Sequence, residues 1–312
     1  FSYVFLVILH GGVAGVFWAF TLSYILAIIY MFIAAETWKY IKISKFSYIK
    51  LKEMLGLSVP IVPSSISLWI VNLSNRLVIT SYLGVASNAV FAVANKIPNL
   101  FSMAYTTFNL AWTESATLAV EDRDQDEYYS NMTNRLFDFL TGIMLVLICG
   151  TPILFRILIN QQYKEAFYLM PILFFGVFFN SIVQFYGAIY VAIKRTKQVG
   201  VSSAVGAILN LVICIGLINY IGLYAAAFAM SVSYFIICIY RMIDLKKIVA
   251  IRYNWKRIAI SMLLMVVSSL LCYIDKTWTF AINAIIAIIF NIVVNGNMLM
   301  ALLKMLKARK ED

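Results

Sequence analysis

Long apolar segments separated by short connectors dominate this sequence. Each segment is close to the roughly 20 residues that an α-helix needs to cross a bilayer. The complete segments cover residues 13–35, 57–82, 88–117, 136–159, 167–193, 199–219, 222–240, 256–274 and 279–303. Residues 1–9 resemble the end of one more helix. The sequence therefore predicts an all-α, polytopic membrane protein with nine full spans and one partial span.

Composition supports this class and argues against several kinds of chemistry. The chain is 63% hydrophobic and 12% charged, and no soluble globule of 312 residues has enough interior for that much apolar surface. The single histidine is His10, and the four cysteines lie far apart within apolar runs. We therefore predict no disulfide, no metal site and no cofactor.

The basic residues predict an orientation in the membrane. If the connector at residues 36–56 is cytoplasmic, 20 of the 25 Lys and Arg residues lie on that side, as the positive-inside rule requires. This predicts a plasma-membrane protein with cytoplasmic basic loops and a cytoplasmic C-terminus. The net charge of +11 then reflects topology and attraction to anionic membrane lipids, and it does not indicate nucleic-acid binding. The connector itself fits both an interfacial helix and a solvated loop.

An internal repeat predicts the organisation of the chain. Residues 19–30 resemble residues 229–240 at an offset of 210, and both segments end on the predicted cytoplasmic side, as in a parallel repeat. Chance similarity between two apolar helices is the alternative. The repeat predicts that the chain is truncated at its N-terminus. The predicted parts are the end of an N-terminal lobe (1–35), a basic connector (36–56), a six-helix C-terminal lobe (57–240), a basic loop (241–255), two additional helices (256–303) and a cytoplasmic tail (304–312).

Two cations lie within apolar segments, Arg76 in 57–82 and Lys96 in 88–117. A basic side chain at membrane depth costs about 2.5–3.5 kcal/mol on insertion scales, so it is retained for a partner, a wet cavity or a function. We predict that both cations contact an anionic group of a substrate. The alternative is a structural role, in which they bond carbonyl groups that are left free near Pro98.

A polar stripe accompanies these cations. The second segment carries polar residues at steps of four and three, which places them on one helix face: Asn95, Asn99, Ser102, Thr106, Asn109 and Thr113. In the first segment Asn72 lies one turn before Arg76. The amides are predicted to line a polar path, or alternatively to bond neighbouring helices. Pro98, inside the stripe, is a predicted bend or gate, and Glu114 near the cytoplasmic end is a predicted gate or helix cap.

Four short motifs in these two segments resemble a known family. They are Ser58-Val59-Pro60, Asn72-Leu73-Ser74-Asn75-Arg76, Phe91-Ala92-Val93-Ala94-Asn95-Lys96-Ile97-Pro98 and Phe108-Asn109-Leu110-Ala111-Trp112. They resemble the oligosaccharide flippases of bacterial polysaccharide biosynthesis (Wzx-like, O-antigen and capsule type) of the MATE-like superfamily. Members of that family carry an aspartate immediately before the arginine that matches Arg76, whereas this chain has Asn75.

The resemblance implies a fold and an activity. The fold would be two six-helix lobes and two additional helices around a central cavity that opens alternately to each side. The cargo would be a polyprenyl-diphosphate-linked oligosaccharide for capsule, O-antigen or exopolysaccharide synthesis, with other polysaccharide-assembly proteins as further partners. By this comparison Arg76 and Lys96 would hold the diphosphate. The sugar path would be lined by Asn72, Asn95, Asn99 and Asn109.

Two other functions remain open at this stage. A drug or cation antiporter of the same architecture would place carboxylates in its cavity, whereas this chain carries cations at mid-span. A membrane glycan polymerase would need catalytic groups in a sizeable external loop, and the predicted external connectors are short. No nucleophile motif or phosphate-binding glycine loop is present in the sequence, so a non-enzymatic function is predicted.

Overall fold

The computed structural model describes residues 1–8, 10–39, 46–121, 124–158, 163–274 and 276–311. Residues 40–45 of the predicted basic connector lie outside these ranges. Within them, eleven α-helices are α1 (Gly12–Ala34), α2 (Tyr48–Ser58), α3 (Val62–Leu83), α4 (Val85–Ala94), α5 (Lys96–Leu118), α6 (Gln125–Leu158), α7 (Glu165–Ala192), α8 (Thr196–Ile221), α9 (Tyr224–Lys246), α10 (Trp255–Ile274) and α11 (Thr277–Glu311).

Eight helical segments in the described ranges are long and apolar enough to span a membrane. They correspond to eight of the nine predicted spans, since α2 and α3 count as one 36-residue segment from Tyr48 to Leu83. The remaining predicted span, 88–117, is divided between the short helix α4 and the 23-residue helix α5. Its polar stripe lowers the hydropathy of α5, which explains why α5 does not meet the same criterion. The protein is a multi-pass helical membrane protein.

The break between α4 and α5 lies at Asn95, three residues before Pro98. A proline has no N–H for the carbonyl four residues earlier, here that of Ala94, and its ring crowds that carbonyl. At the break, the backbone N–H of Asn95 donates to the Phe91 carbonyl (3.1 Å), and the Asn95 side-chain amide donates to the same oxygen (2.9 Å). The predicted span 88–117 is therefore divided into two helices, with the break close to the predicted bend at Pro98.

The chain divides into two compact units, Phe1–Leu55 and Gly56–Asp312. The first contains α1, which buries little more than Gly15 and Ala19 and leaves side chains such as Phe17 and Tyr30 largely exposed. A membrane helix presents such a surface to lipid or to further helices.

Helix α7 forms the centre of the second unit. It packs against α4, α5, α6 and α9, while α8 packs against α3 and α9. Several of the largest fully buried side chains of the protein belong to α7: Phe174, Phe178, Phe185, Tyr186 and Tyr190. Helices α10 and α11 pack against α6 and against each other. Helix α3 therefore packs mainly against α8, whereas α5 packs mainly against α7.

Polar contacts attach α10 and α11 to α6. Arg257 on α10 forms an ion pair with Asp138 on α6 (Nη1 to Oδ2, 3.1 Å). On α11, Asn291 donates to the Gly142 carbonyl (3.1 Å) and Asn295 donates to the Asp138 carbonyl (3.2 Å). Amides commonly join membrane helices in this way.

Replacing Gly142 by valine is expected to loosen α11. A Cβ atom at position 142 would overlap the side-chain amides of both Asn291 and Asn295, and overpacking of this kind costs about 1–3 kcal/mol. Thermal unfolding in detergent measures the loss. Gly216→Val is the matched control, because Gly216 is a helical glycine with open space around its Cβ position. Equal stability of the two variants would contradict the proposed α6–α11 contact.

Candidate functional site

Arg76 and Asn72 lie on an exposed face of α3. The exposed positions Ser65, Trp69, Asn72 and Arg76 follow one another at steps of four, three and four, which places them on one side of the helix. The Asn72 amide donates to the Leu68 carbonyl of the preceding turn (3.0 Å). Its carbonyl oxygen therefore faces this surface as an acceptor.

Asn75, where the similar family carries aspartate, is only 2% exposed, and its Oδ1 atom has no hydrogen-bond partner. Arg76 next to it is exposed. Consecutive helix residues point about 100° apart, so a carboxylate at position 75 would lie on the buried side of α3 rather than beside the guanidinium. An aspartate at this position would therefore not act as a local counter-charge for Arg76.

Lys96 is the first residue of α5 and is also exposed, as is Asn99 one turn later. The turn at Gly84, with φ of 87°, joins α3 to α4. At 1.5 Å per helical residue, Arg76 lies about 12 Å and Lys96 about 18 Å along the chain from that turn. Along the chain, the two cations thus lie on either side of the Gly84 turn, within about three to four helical turns of it.

Neither cation has a carboxylate partner among the residues that the structure describes. The ion pairs among the described residues are Lys39–Glu36 and Arg257–Asp138. In particular Glu114, on the same helix as Lys96, is exposed and lines a separate surface cavity of about 400 Å³ with Leu110 and Thr113. Its predicted role as a gate or cap, like the gating role of Pro98, remains a prediction.

Most hydroxyl groups of the α5 stripe bond within their own helix. Ser102, Thr106 and Thr113 each donate to the carbonyl four residues earlier, at 2.7–3.0 Å, and so turn their oxygen lone pairs outward as acceptors. Asn95 is buried and bonded as described above. Asn109 differs from these residues, because its Oδ1 atom is buried without a partner.

Two aromatic residues on the opposite face of α5 attach this helix to α7. The Tyr105 hydroxyl donates to the Ser181 carbonyl (2.8 Å) and the Trp112 indole N–H donates to the Phe185 carbonyl (3.1 Å). Trp112 also stacks on the Phe185 ring with centroids 4.3 Å apart. On the other side, Ser64 of α3 bonds Ser203 of α8 (3.0 Å). These contacts hold the polar residues of α3 and α5 on either side of the centre of the unit.

A cavity of about 180 Å³ with a mixed apolar and polar lining lies between α3, α5, α7, α8 and α9. Its polar lining residues are Ser64, Ser67, Asn109, Thr113, Asn180, Gln184, Ser203, Asn210, Ser233, Tyr234 and Arg241. Of the predicted site residues, Asn109 is the one that the structure places here. Arg76, Lys96, Asn72, Asn95 and Asn99 are not among the described residues that line this cavity.

Arg241 is a site residue that sequence reasoning missed. The predicted loop 241–255 begins inside α9, because the helix continues to Lys246, and Arg241 is only 2% exposed. Its guanidinium donates to the carbonyl oxygens of Val183 (2.6 Å) and Val199 (3.2 Å) and to the hydroxyls of Ser202 and Ser203. The apolar residues Met242, Ile243 and Leu245 beyond it were the available sign that the helix continues.

These features define the class of protein: a multi-pass helical membrane protein with the fold of the MATE-like transporters. Its structure is similar to that of the lipid II flippase MurJ in an inward closed conformation, with a TM-score of 0.59 and 19% identity over 83% of this chain and 57% of that one. It is also similar to the Vibrio cholerae MATE transporter VcmN in the bent form, with a TM-score of 0.51 and 17% identity over 77% of this chain and 63% of that one.

The chain thus spans less than two thirds of the length of either similar structure. At these identities the likeness is one of fold. No protein-family model matches the sequence, and no curated protein matches it. The predicted fold class is confirmed, whereas the truncation at the N-terminus remains a prediction.

Proposed function

We propose that the protein moves polyprenyl-diphosphate-linked oligosaccharide repeat units across the plasma membrane, for the synthesis of capsule, O-antigen or exopolysaccharide. One observation carries the proposal: Arg76 and Lys96 are exposed cations on apolar helices, without a carboxylate partner among the described residues. A cation that lies at membrane depth without a protein partner favours contact with an anionic ligand.

The diphosphate is the part of the cargo that these cations would recognise. Phosphate oxygens form short, charge-assisted hydrogen bonds with guanidinium and ammonium groups. Arg76 on α3 and Lys96 on α5 would contact the two phosphates in turn as the head group passes. The polyprenyl chain would remain in lipid, because it loses nothing by staying there.

The sugars need neutral hydrogen-bonding partners along the same path. Asn72 and Asn99 are exposed on α3 and α5, and the Asn109 Oδ1 atom has no partner within the protein. Asn95 already bonds the Phe91 carbonyl, so its proposed contact with sugar would use its own oxygen. The acceptor-rich stripe of α5 fits the hydroxyl groups of a glycan.

The proposed setting follows from the same residues. The basic loops and the C-terminus would be cytoplasmic, and anionic lipids and other polysaccharide-assembly proteins would be the partners besides the cargo. Residues 57–240 would form the C-terminal lobe of the transporter, and residues 256–303 would form its two additional helices. The structural similarity to MurJ, a lipid II flippase, supports a lipid-linked cargo.

The alternative function is a drug or cation antiporter, which the structural similarity to the MATE transporter VcmN would support. Among the described residues that line the cavity between α3, α5, α7, α8 and α9, none is Asp or Glu, and the charged one is Arg241. A positively charged wall disfavours a cationic drug or a coupling cation. The lining of this cavity therefore argues against transport of a cation.

Reconstitution of the full-length protein into liposomes tests the proposal. A polyprenyl-diphosphate glycan with a fluorescent sugar is placed in the bilayer, and its exposure on each side is followed with a membrane-impermeant quencher. We expect transbilayer movement well above that of protein-free liposomes, and a much slower movement of the same glycan on an uncharged lipid. Equal rates for the two lipids, or exchange of a cationic dye instead, would contradict the proposal.

A further inference from the structure

The cavity between α3, α5, α7, α8 and α9 contains a buried positive charge, that of Arg241, which no carboxylate of the described residues neutralises. No acidic side chain lies within ion-pair distance of Arg241 in the described ranges. Asp244, one turn further along α9, accepts a hydrogen bond from the Tyr190 hydroxyl (2.6 Å) instead. Burying a charge is costly unless it is paired, so this guanidinium lacks a counter-ion.

Several other groups in the cavity also lack partners. Asn210 is completely buried and neither amide atom is hydrogen-bonded, and Ser233, at 1% exposure, has an unbonded hydroxyl. The Oδ1 atoms of Asn109 and Asn180 are also buried without a hydrogen-bond partner among the described residues. Buried polar groups in native proteins are almost always bonded to something. So many unpaired groups around one cavity indicate that a ligand or ordered water completes them.

We propose that this cavity binds one small inorganic anion of chloride size, with Arg241 as its counter-charge. The amide of Asn210 and the hydroxyl of Ser233 would donate to the anion or to its remaining water molecules. Asn109 and Asn180 would accept from those water molecules. The site shares Asn109 with the proposed sugar path but includes neither Arg76 nor Lys96, and it does not depend on the proposed function.

Size and charge select this ligand. A cavity of about 180 Å³ has room for about six water molecules at their share of liquid volume, which suits one partly hydrated monatomic ion and excludes an oligosaccharide. A cation would be repelled by the charge of Arg241, and no carboxylate among the described lining residues would compensate for that repulsion. The hydrogen bonds that Arg241 makes to the Val183 and Val199 carbonyls are neutral, and they leave its positive charge in place.

Anion binding can be measured on the purified full-length protein in detergent. Melting temperatures are compared in sodium chloride and in sodium gluconate at equal ionic strength, and binding is followed by the broadening of the ³⁵Cl NMR line. We expect chloride to raise the melting temperature saturably by about 2–4 °C, since a ligand that binds only the native state stabilises it. Equal melting in both salts would overturn the proposal, because it would reveal only a general salt effect.

Three variants make this test specific. Arg241→Gln should abolish both the chloride-dependent shift and the line broadening, but it also removes bonds between helices. Asn210→Leu avoids this problem, because the Asn210 side chain forms no hydrogen bond with the described residues. It should melt like the wild type in gluconate and bind chloride at least tenfold more weakly. Arg195→Gln, which removes an exposed arginine at the start of α8, should retain the full chloride response. Unchanged chloride binding by Asn210→Leu would contradict the site.

Discussion

Replacing Arg76 and Lys96 together by glutamine is expected to reduce transbilayer movement of the diphosphate-linked glycan at least 100-fold. Both residues are exposed cations without a carboxylate partner among the described residues. A hydrogen bond to a charged group contributes about 1.5–3 kcal/mol, and each 1.4 kcal/mol corresponds to a factor of ten. The loss of two such contacts therefore exceeds 100-fold. Initial rates in the liposome assay provide the measurement.

Lys194→Gln combined with Lys197→Gln is the matched control for this experiment. It removes the same net charge from exposed lysines near the start of α8, away from the faces of α3 and α5. We expect this control to transport at the wild-type rate, and both double variants to be equally abundant in the membrane. A wild-type rate in the Arg76 and Lys96 variant would show that the two cations have a structural role only.

The second large effect is expected at Trp112, which positions α5. Its side chain is 2% exposed, stacks on Phe185 and bonds the Phe185 carbonyl. Truncation of a buried tryptophan to alanine costs about 3–5 kcal/mol, so Trp112→Ala should lower the thermal stability in detergent strongly. Transport should also fall, because the polar stripe would no longer be held in place.

Trp112→Phe and Trp69→Ala separate the causes of this effect. Phenylalanine keeps much of the ring stacking and loses the indole N–H, so it should cost about 1 kcal/mol, the usual net contribution of one hydrogen bond. Trp69 is 65% exposed on α3, and its truncation should change stability little. If Trp112→Ala melts no lower than Trp69→Ala, the proposed attachment of α5 to α7 is incorrect.

The hydropathy of each segment was sufficient to predict the membrane helices. Apolar runs of about 20 residues form helices in a bilayer because every backbone N–H and C=O must be bonded within the segment. This constraint acts on each segment separately and therefore can be read from the sequence. The same holds for the interruption near Pro98, although its position at Asn95 depends on which carbonyl the proline leaves without a donor.

Other features depended on which helices pack together. Periodicity placed the polar residues of α5 on one face, but it did not distinguish Asn95, bonded within its helix, from Asn109, which lines a cavity. Asn75 and Arg76 are adjacent in sequence, yet one is buried and the other exposed. The orientation of α3 against α8 determines this difference, and a single sequence does not contain it.

The sequence alone determined the class of protein, the approximate limits of its spans and the presence of two cations within apolar segments, because hydropathy and charge are properties of each segment. Only the tertiary structure placed Arg241 inside the protein. Its position at the predicted boundary between a span and a basic loop matches that of an ordinary cytoplasmic arginine. The Val183 and Val199 carbonyls that surround it come from α7 and α8, so the buried charge exists only when the three helices pack together.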